Sequence, residues 1–416
     1  MSQKDEAVDL ILRNARIAGA AISGLVDIGV ENGRIAAVAA NLAAEGETYD
    51  AGGRLVCAGF VETHIHLDKS RIIDRCAPEE GRDARPVPRV AAVKHTFTAE
   101  DVYQRARKTL ESAISHGTTR MRTHVEVDPG VGLRGFEGVR KLIDEYRWAI
   151  DLEICVMPQE GLTNNPGTDE LMVEALKRGA RVVGAAPNYD TDHAGQIRRV
   201  FELAREFGVD IDMHLDSGAT PEDMDIHLVC ELTEQNKLGG HVAVGHQTKL
   251  STMPPDDQRR LARRLADVGV AVTVLPATDL FLMGRERDFN VRRGVVDANL
   301  LVEHGVTCSI SSNNILNPFT PYGDCSLIRM ANLHANILQV SGNQRLRDSF
   351  MMLTERSARL MNLPDYGIAV GNPADLVVID AESPEQAVAE IRHPLAVWKR
   401  GRRTVTRHPP EIHRPT

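Results

Sequence analysis

The stretch around which this chain is organised reads Phe60-Val61-Glu62-Thr63-His64-Ile65-His66-Leu67-Asp68, and it directly follows the apolar run Leu55-Val56-Cys57-Ala58-Gly59. Side chains two residues apart on a strand point the same way, so His64 and His66 share a face. Two neutral imidazoles on one face can bind a single divalent cation, a common arrangement in catalytic metal sites. The same pair could instead be inert polar residues at the end of a strand. The dipeptide pattern alone therefore leaves both interpretations open.

Length and composition limit the classes of function. The chain has 416 residues, of which 42% are hydrophobic and 26% charged, which is typical of a globular protein with a large core. A net charge of -9 argues against nucleic acid as the main partner, because phosphate binding needs a basic surface. The six cysteines form no Cys-x-x-Cys pair, and we expect reduced, buried thiols. With no apolar leader and no apolar run near the ~20 residues that span a bilayer, the sequence predicts a cytoplasmic protein without a membrane segment.

The two ends of the chain predict one small β domain. An Asn32-Gly33 pair between the runs 26–31 and 34–38 is a strong hairpin signal, because both turn positions tolerate a positive φ. Similar strands are predicted at 374–380 and 394–401, and neither end is large enough to bury a core alone. We expect residues 1–57 and 364–416 to pair into one β-sandwich.

The middle of the chain, residues 58–363, alternates apolar runs with charged helical stretches. After the first, the runs recur at about 30 residues, the length of a strand plus a crossover helix. Helices are predicted at 99–116, with Thr98 as N-cap, and at 256–268, ending at Gly269. This pattern favours a (β/α)8 TIM barrel over a doubly wound open sheet. The eight predicted strands are 55–57, 119–123, 152–157, 182–186, 209–213, 242–244, 270–275 and 307–310.

The chemistry of such a barrel is expected where its strands end at their C-terminal side. Five of the fifteen histidines follow strands there, and they would converge on the barrel axis. This convergence favours a metal site. The polar residues at the successive strand ends are His64 and His66, His124, Gln159 and Glu160, Asn188 with Asp190 and Asp192, His214 and Asp216, His246 and Gln247, Thr278 and Asp279, and finally 311–314.

Over essentially its whole length the chain resembles the amidohydrolase superfamily, and within it the branch of cytosine deaminase and N-isopropylammelide amidohydrolase. The resemblance rests on specific motifs: Gly59-Phe60-Val61-Glu62-Thr63-His64-Ile65-His66-Leu67-Asp68, Arg122-Thr123-His124-Val125, Pro158-Gln159-Glu160-Gly161, Val183-Gly184-Ala185, Asp212-Met213-His214, Gly245-His246 and the segment 365–376.

The resemblance implies a single divalent metal ion, zinc or iron with manganese as a further option, bound by His64, His66 and His214. It also implies that Gln159 hydrogen-bonds a small heterocyclic substrate and that His246 polarises the group under attack. Asn314 occupies a position where related enzymes direct a polar residue at the substrate. We further expect a homo-oligomer.

Two positions depart from the pattern of the family. The fourth metal ligand, an aspartate in the relatives, is Asn313 here, and the glutamate that moves the proton is Ser217. An asparagine ligates only weakly and accepts no proton, and a serine has no useful basicity near neutrality. Because the loss of one general acid or base costs about 10²–10⁴ in rate, we expect ordinary cytosine deamination to be abolished.

Three explanations remain open for these departures. Another carboxylate at the catalytic end could take over, and Asp279 is the best placed, ahead of Asp216, Asp190 and Asp192. The substrate could need less proton transfer. The chain could also be a catalytically silent or binding-only relative. A non-hydrolytic lyase or isomerase use of the metal is a weaker alternative.

Other candidate sites are weaker. Arginines in the loop after the seventh strand could bind a substrate carboxylate, although a solvated charged loop is the simpler interpretation. These arginines are Arg285, Arg287, Arg292 and Arg293. There is no glycine-rich dinucleotide loop and no Gly-x-Ser-x-Gly motif, which argues against nicotinamide and serine esterase chemistry. The sequence therefore predicts a metal-dependent hydrolase of a C–N bond in a small nitrogen heterocycle or cyclic amide, with His246 and Asp279 as catalytic residues.

Overall fold

A computed structural model describes residues 6–19, 24–78 and 85–414 of the chain. Eight consecutive parallel strands form a barrel, in the order in which they occur in the sequence. The barrel closes where the Asn313 N–H donates to His64 O and the His66 N–H donates to Asn313 O, both at 2.9 Å. The predicted fold class is confirmed. The strands are β6 (Phe60–Ile65), β7 (Thr118–Glu126), β8 (Asp151–Met157), β9 (Val182–Val183), β10 (Asp210–Leu215), β11 (Val242–His246), β12 (Val270–Val274) and β13 (Cys308–Ile310).

A second sheet combines both ends of the chain. Its order is β16-β15-β14-β5-β1-β2-β3, with β4 paired to β1. The predicted hairpin is present, with Asn32 and Gly33 at φ values of 51° and 75°. This sheet encloses its own apolar core, which includes Trp398. Its strands are β1 (Glu6–Ile17), β2 (Val26–Glu31), β3 (Arg34–Ala39), β4 (Ala44–Asp50), β5 (Leu55–Ala58), β14 (Leu376–Ile379), β15 (Pro394–Lys399) and β16 (Arg402–Thr406).

One strand assignment from the sequence was wrong. Residues 55–57 were predicted as the first barrel strand, but they lie in β5, which pairs with β1 and β14 of the terminal sheet. The barrel begins only after Gly59, with β6. Both strands are fully buried, so neither shows the alternation that would assign it to a sheet. Gly59 permits this abrupt change of sheet, because a Cβ there would lie 2.1 Å from Thr119 Oγ1.

Helices cover the barrel and include the two predicted in detail. Thr98 caps α2 by accepting the Asp101 N–H at 3.1 Å, and α7 ends at Gly269, where φ is 74°. All six cysteines are buried and free, as predicted. Within the described ranges, no helix has both the length and the apolar character needed to cross a bilayer. The helices are α1 (Pro86–Lys94), α2 (Ala99–Ser115), α3 (Arg134–Glu145), α4 (Thr168–Lys177), α5 (His193–Phe207), α6 (Ile226–Asn236), α7 (Pro255–Val268), α8 (Pro276–Leu282), α9 (Ala298–Glu303), α10 (Leu327–Ile337), α11 (Asn343–Met351), α12 (Glu355–Leu360) and α13 (Pro384–Ala389).

Candidate active site

Three histidines meet at the C-terminal end of the barrel. His64 lies in β6, His66 directly follows it, and His214 lies in β10 on the opposite side of the sheet order. The His214 Nε2 atom is 3.1 Å from His64 Nε2 and 3.0 Å from His66 Nε2. Ligands bound at about 2.0 Å in a tetrahedral arrangement would be roughly 3.3 Å apart, so the three nitrogens fit around one divalent ion.

The electrostatics of the three rings suit metal ligation. Burial, together with the neighbouring imidazoles, lowers the pKa of His64, His66 and His214 well below the usual histidine value. The rings are therefore neutral at pH 7 and offer lone pairs. Their Nδ1 atoms are buried and have no hydrogen-bond partner in the described part of the chain.

The walls around His64 hold its ring in place. His124 stacks on it, with the ring centroids 3.8 Å apart. Gly245 lies on the other side, and a Cβ at that position would come within 3.1 Å of His64 Cε1. Beneath them Arg122 donates to Asp212 at 2.9 Å. These contacts leave His64 little freedom to rotate away from the other two histidines.

Asn313, the predicted fourth ligand, lies beside both histidines of β6 through the backbone hydrogen bonds that close the barrel. It is fully buried and has a positive φ of 62°. Its Oδ1 accepts the Asn314 amide at 2.8 Å, and the Asn314 Oδ1 in turn accepts the Asn317 amide at 2.7 Å. The oxygen that would ligate a metal therefore has one of its two acceptor positions in use.

A cavity of about 690 Å³ opens over the histidines. It brings together residues that the sequence predicted at separate strand ends, whereas His64 and Asn313 lie beneath its floor, fully buried. Tyr189, Phe319 and the loop arginines Arg85 and Arg285 complete much of the wall. The predicted residues that line it are His66, Gln159, Asn188, His214, Ser217, His246, Asp279 and Asn314.

His246 and Asp279 form a close pair in the wall of this cavity. His246 Nδ1 lies 2.6 Å from Asp279 Oδ1. Since the carboxylate accepts, the Nδ1 atom carries the proton, which leaves Nε2 as the acceptor that His246 can offer to the cavity it lines. Burial raises the pKa of Asp279, although His246 counteracts this shift. The pair has the geometry of an oriented imidazole able to exchange a proton with a ligand.

The other carboxylates that the sequence offered are used by the scaffold. Asp216 accepts the Asp225 and Ile226 N–H groups at 2.8 and 3.0 Å. Asp190 accepts the Leu162 N–H at 2.7 Å, and Asp192 caps α5. None of the three lines the cavity described above. Among the four candidates, only Asp279 reaches it.

The loop after β12 contributes only in part. Arg285 lines the cavity, and its guanidinium lies 4.9 Å from the centre of the Phe281 ring. Arg292 donates to Ala219 O and Arg293 to Ile337 O, so both of these arginines fasten the loop. Arg287 is exposed.

Sequence reasoning missed Lys69, which is 1% exposed and lies next to the cavity. Its Nζ donates to Gln159 Oε1 at 2.8 Å. The sequence did contain a signal for Lys69, because this residue directly follows the His-Ile-His-Leu-Asp motif, in a stretch where a charged side chain must be buried. A buried lysine needs a partner of opposite charge or a hydrogen-bond acceptor. The residues next to Lys69 in the sequence do not show which side chain that partner is.

Comparison with known proteins assigns the chain to a family. A model of the amidohydrolase family matches residues 47–142 and 133–405. The chain belongs to the amidohydrolase family. The predicted amidohydrolase type of enzyme is thereby confirmed.

Individual relatives of this amidohydrolase span nearly its whole length. It is 27% identical over 407 residues to N-isopropylammelide isopropyl amidohydrolase of Pseudomonas sp., covering 95% of this chain and 96% of the relative. It is 25% identical over 412 residues to pterin deaminase of Rhizobium rhizogenes, covering 95% and 94%. The structure of 5-methylcytosine deaminase from Klebsiella pneumoniae, liganded with 5-fluorocytosine, is similar with a TM-score of 0.92, 28% identity and coverage of 97% and 99%.

Proposed function

We propose that this amidohydrolase hydrolyses a C–N bond in a small nitrogen heterocycle or cyclic amide and depends on one divalent metal ion. The observation that carries the proposal is the convergence of three neutral imidazole nitrogens beside a cavity that also contains an oriented His–Asp pair. Such a set of groups suits metal-assisted hydrolysis.

His64, His66 and His214 would hold the metal, with Asn313 as a weak fourth ligand through its side-chain oxygen. The close approach of the neutral Nε2 atoms, at 3.1 and 3.0 Å from His214 Nε2, supports this assignment, since a cation between them would satisfy all three. A divalent ion in such a site would lower the pKa of a bound water to near 7 and would polarise a carbonyl or amidine. Zinc and iron suit imidazole ligands of this kind, and manganese, which prefers oxygen ligands, suits them less well.

The remaining roles fall to residues of the cavity wall. His246 would donate a proton to, or accept one from, the reacting group, because its Nε2 is open to the cavity. Asp279 would keep His246 in the required tautomer and stabilise its protonated form. This division of labour provides a route for the proton that does not need the carboxylate missing at Ser217. Gln159 would anchor the heterocycle at the opposite side.

The relatives support a heterocyclic substrate. The names of the proteins at 25–28% identity refer to substituted triazine, pterin and pyrimidine rings. A cavity of about 690 Å³ accepts such a ring together with a substituent.

A catalytically silent or binding-only relative is the second candidate, and the replacement of both family carboxylates by Ser217 and Asn313 favours it. The two candidates differ in metal content and turnover. We expect about one equivalent of metal in the purified protein, and release of ammonia or a carboxylate from a panel of heterocyclic amines, lactams and ureides. Less than about a tenth of an equivalent, with no turnover after reconstitution, would favour the silent relative, since a working site retains its metal.

A further inference from the structure

Behind the cavity lies a buried chain of alternating charges. Lys69 Nζ donates to Gln159 Oε1 at 2.8 Å and to Glu126 Oε2 at 3.3 Å. Lys94 donates to the other oxygen of Glu126 at 2.7 Å, and also to Asp128 and Glu160. Lys69, Glu126 and Gln159 are 1%, 4% and 4% exposed. Solvent therefore does not compete for these bonds.

The carboxylate partner of Lys69 is ionised. Burial alone would raise the pKa of the Glu126 carboxyl, but the ammonium groups of Lys69 and Lys94 outweigh burial and lower it to about 2. The ring of Phe319, which lines the cavity, lies 5.2 Å from the Lys69 ammonium and adds a cation–π contact. The ammonium is thus fixed immediately behind the cavity wall.

This arrangement determines which way the Gln159 amide faces. An ammonium group has donors only, so it can bind the carbonyl oxygen of an amide and never its NH₂ group. A flipped Gln159 would bring two donors together and leave the buried ammonium short of an acceptor, which is costly in a dry site. With Oε1 engaged by Lys69, Nε2 is the polar atom of the Gln159 amide that is left for the cavity. Gln159 lines the cavity, so it presents two N–H donors there.

We propose that Lys69 is a positioning residue that locks Gln159 as a donor, so that the site selects ligands whose facing edge carries a hydrogen-bond acceptor, a carbonyl oxygen or an unprotonated ring nitrogen. The inference rests on the proposed function, in that the cavity is taken to bind a heterocycle. It restricts the substrate class to rings that turn such an edge towards Gln159. An amino or protonated ring nitrogen at that edge is rejected, because it would meet two donors.

The test uses two probes of nearly the same shape. N-methyl-2-pyridone has a carbonyl acceptor next to a methyl group, and 2-methylaniline has an amino donor next to a methyl group. Their dissociation constants are measured by calorimetry with the metal-loaded protein. We expect wild type to prefer the pyridone by about 5- to 100-fold, the range that one unsatisfied buried group produces.

Two variants then separate positioning from mere support of the structure. Lys69→Met frees Gln159 to rotate, so the ratio of the two constants should fall towards one, whereas a purely structural role would weaken both probes equally. Gln159→Glu keeps a partner for Lys69 but turns an acceptor to the cavity, so the preference should reverse. The matched control is Lys399→Met, which removes another lysine of 1% exposure, bonded to Asp151 and Asp375 instead. Its ratio should equal that of wild type.

A wild-type ratio in Lys69→Met, or an unreversed preference in Gln159→Glu, overturns the assignment even if the protein hydrolyses a heterocycle. If Lys69→Met does not fold, Lys69→Gln takes its place, because a neutral amide at position 69 can pair with either end of the Gln159 amide and the ratio should again fall towards one. The predicted changes support the assignment even if no compound of the panel is hydrolysed. If the wild-type protein binds neither probe, the assignment of Lys69 and Gln159 is overturned, because the cavity wall would then not bind a ring.

Discussion

The most informative perturbation is Asp279→Asn, which removes one charge from the His246–Asp279 pair and keeps the shape of the side chain. The bond is 2.6 Å long, and the two residues are 8% and 2% exposed. An asparagine in this place either accepts weakly from Nδ1 or donates to it and forces the wrong tautomer. Because proton transfer by a positioned group contributes about 10²–10⁴ to a rate, kcat should fall by that factor while KM changes little.

Stability should respond differently from activity. Burial raises the pKa of Asp279, which means that its charge is costly inside the fold. A neutral asparagine relieves that cost, so thermal melting should show no large loss of stability. Metal content should stay near one equivalent, because the change leaves the three predicted ligands in place.

The assay is steady-state release of ammonia or carboxylate from the panel compound that wild type hydrolyses fastest. Asp216→Asn is the matched control, because Asp216 is also fully buried at this end of the barrel but bonds only to backbone N–H groups outside the cavity. It should lose stability and keep its turnover per folded molecule. If Asp279→Asn retains a kcat within about threefold of wild type, our assignment of the pair is wrong, because loss of a general acid or base costs far more.

Three further predictions concern the metal, the departures from the family and acid stability. His214→Ala should reduce bound metal, measured by elemental analysis, to below about a tenth of an equivalent, whereas alanine at the exposed His241 should not. The double variant Ser217→Glu, Asn313→Asp should gain the ability to release ammonia from cytosine. If it does not, the cavity wall differs from that of a cytosine deaminase in more than these two residues. The pKa of Glu126 falls from 4.5 to about 2 on folding, so its stabilisation is complete above pH 4.5 and is lost as the pH falls towards 2. Chemical unfolding of Glu126→Gln should therefore show a free energy of unfolding lower by about 3 kcal/mol at pH 7, with a shallower decline in acid.

Local pattern was sufficient for much of the fold. The runs that became β7, β8 and β10 to β13 were recognisable because strand and helix have different hydrophobic periods and capping residues. It was not sufficient at residues 55–65, where two fully buried strands follow each other with only Gly59 between them. Which sheet each strand joins depends on partners that are distant in the sequence, such as β14 for β5.

The residues at the catalytic end could be predicted from the sequence alone, because parallel strands bring their C-terminal ends to one face. The period of two along a strand likewise predicted that His64 and His66 share a face, and the family resemblance predicted the departures at Ser217 and Asn313. It did not distinguish Asp279 from Asp216, Asp190 and Asp192, since every one of them follows a strand.

How those side chains are used depends on contacts that form when the chain folds. A carboxylate at a strand end either accepts hydrogen bonds from nearby backbone N–H groups or contacts a side chain of another strand. Which of the two occurs depends on distances of a few ångströms between segments that are far apart in the chain. Asp279 reaches His246 across 33 residues, and Lys69 reaches Gln159 across 90. Such contacts leave no periodic pattern in the local sequence, because they form only when the barrel closes. That closure sets the orientation of the Gln159 amide. The orientation in turn sets which edge of a ligand the amide can bind.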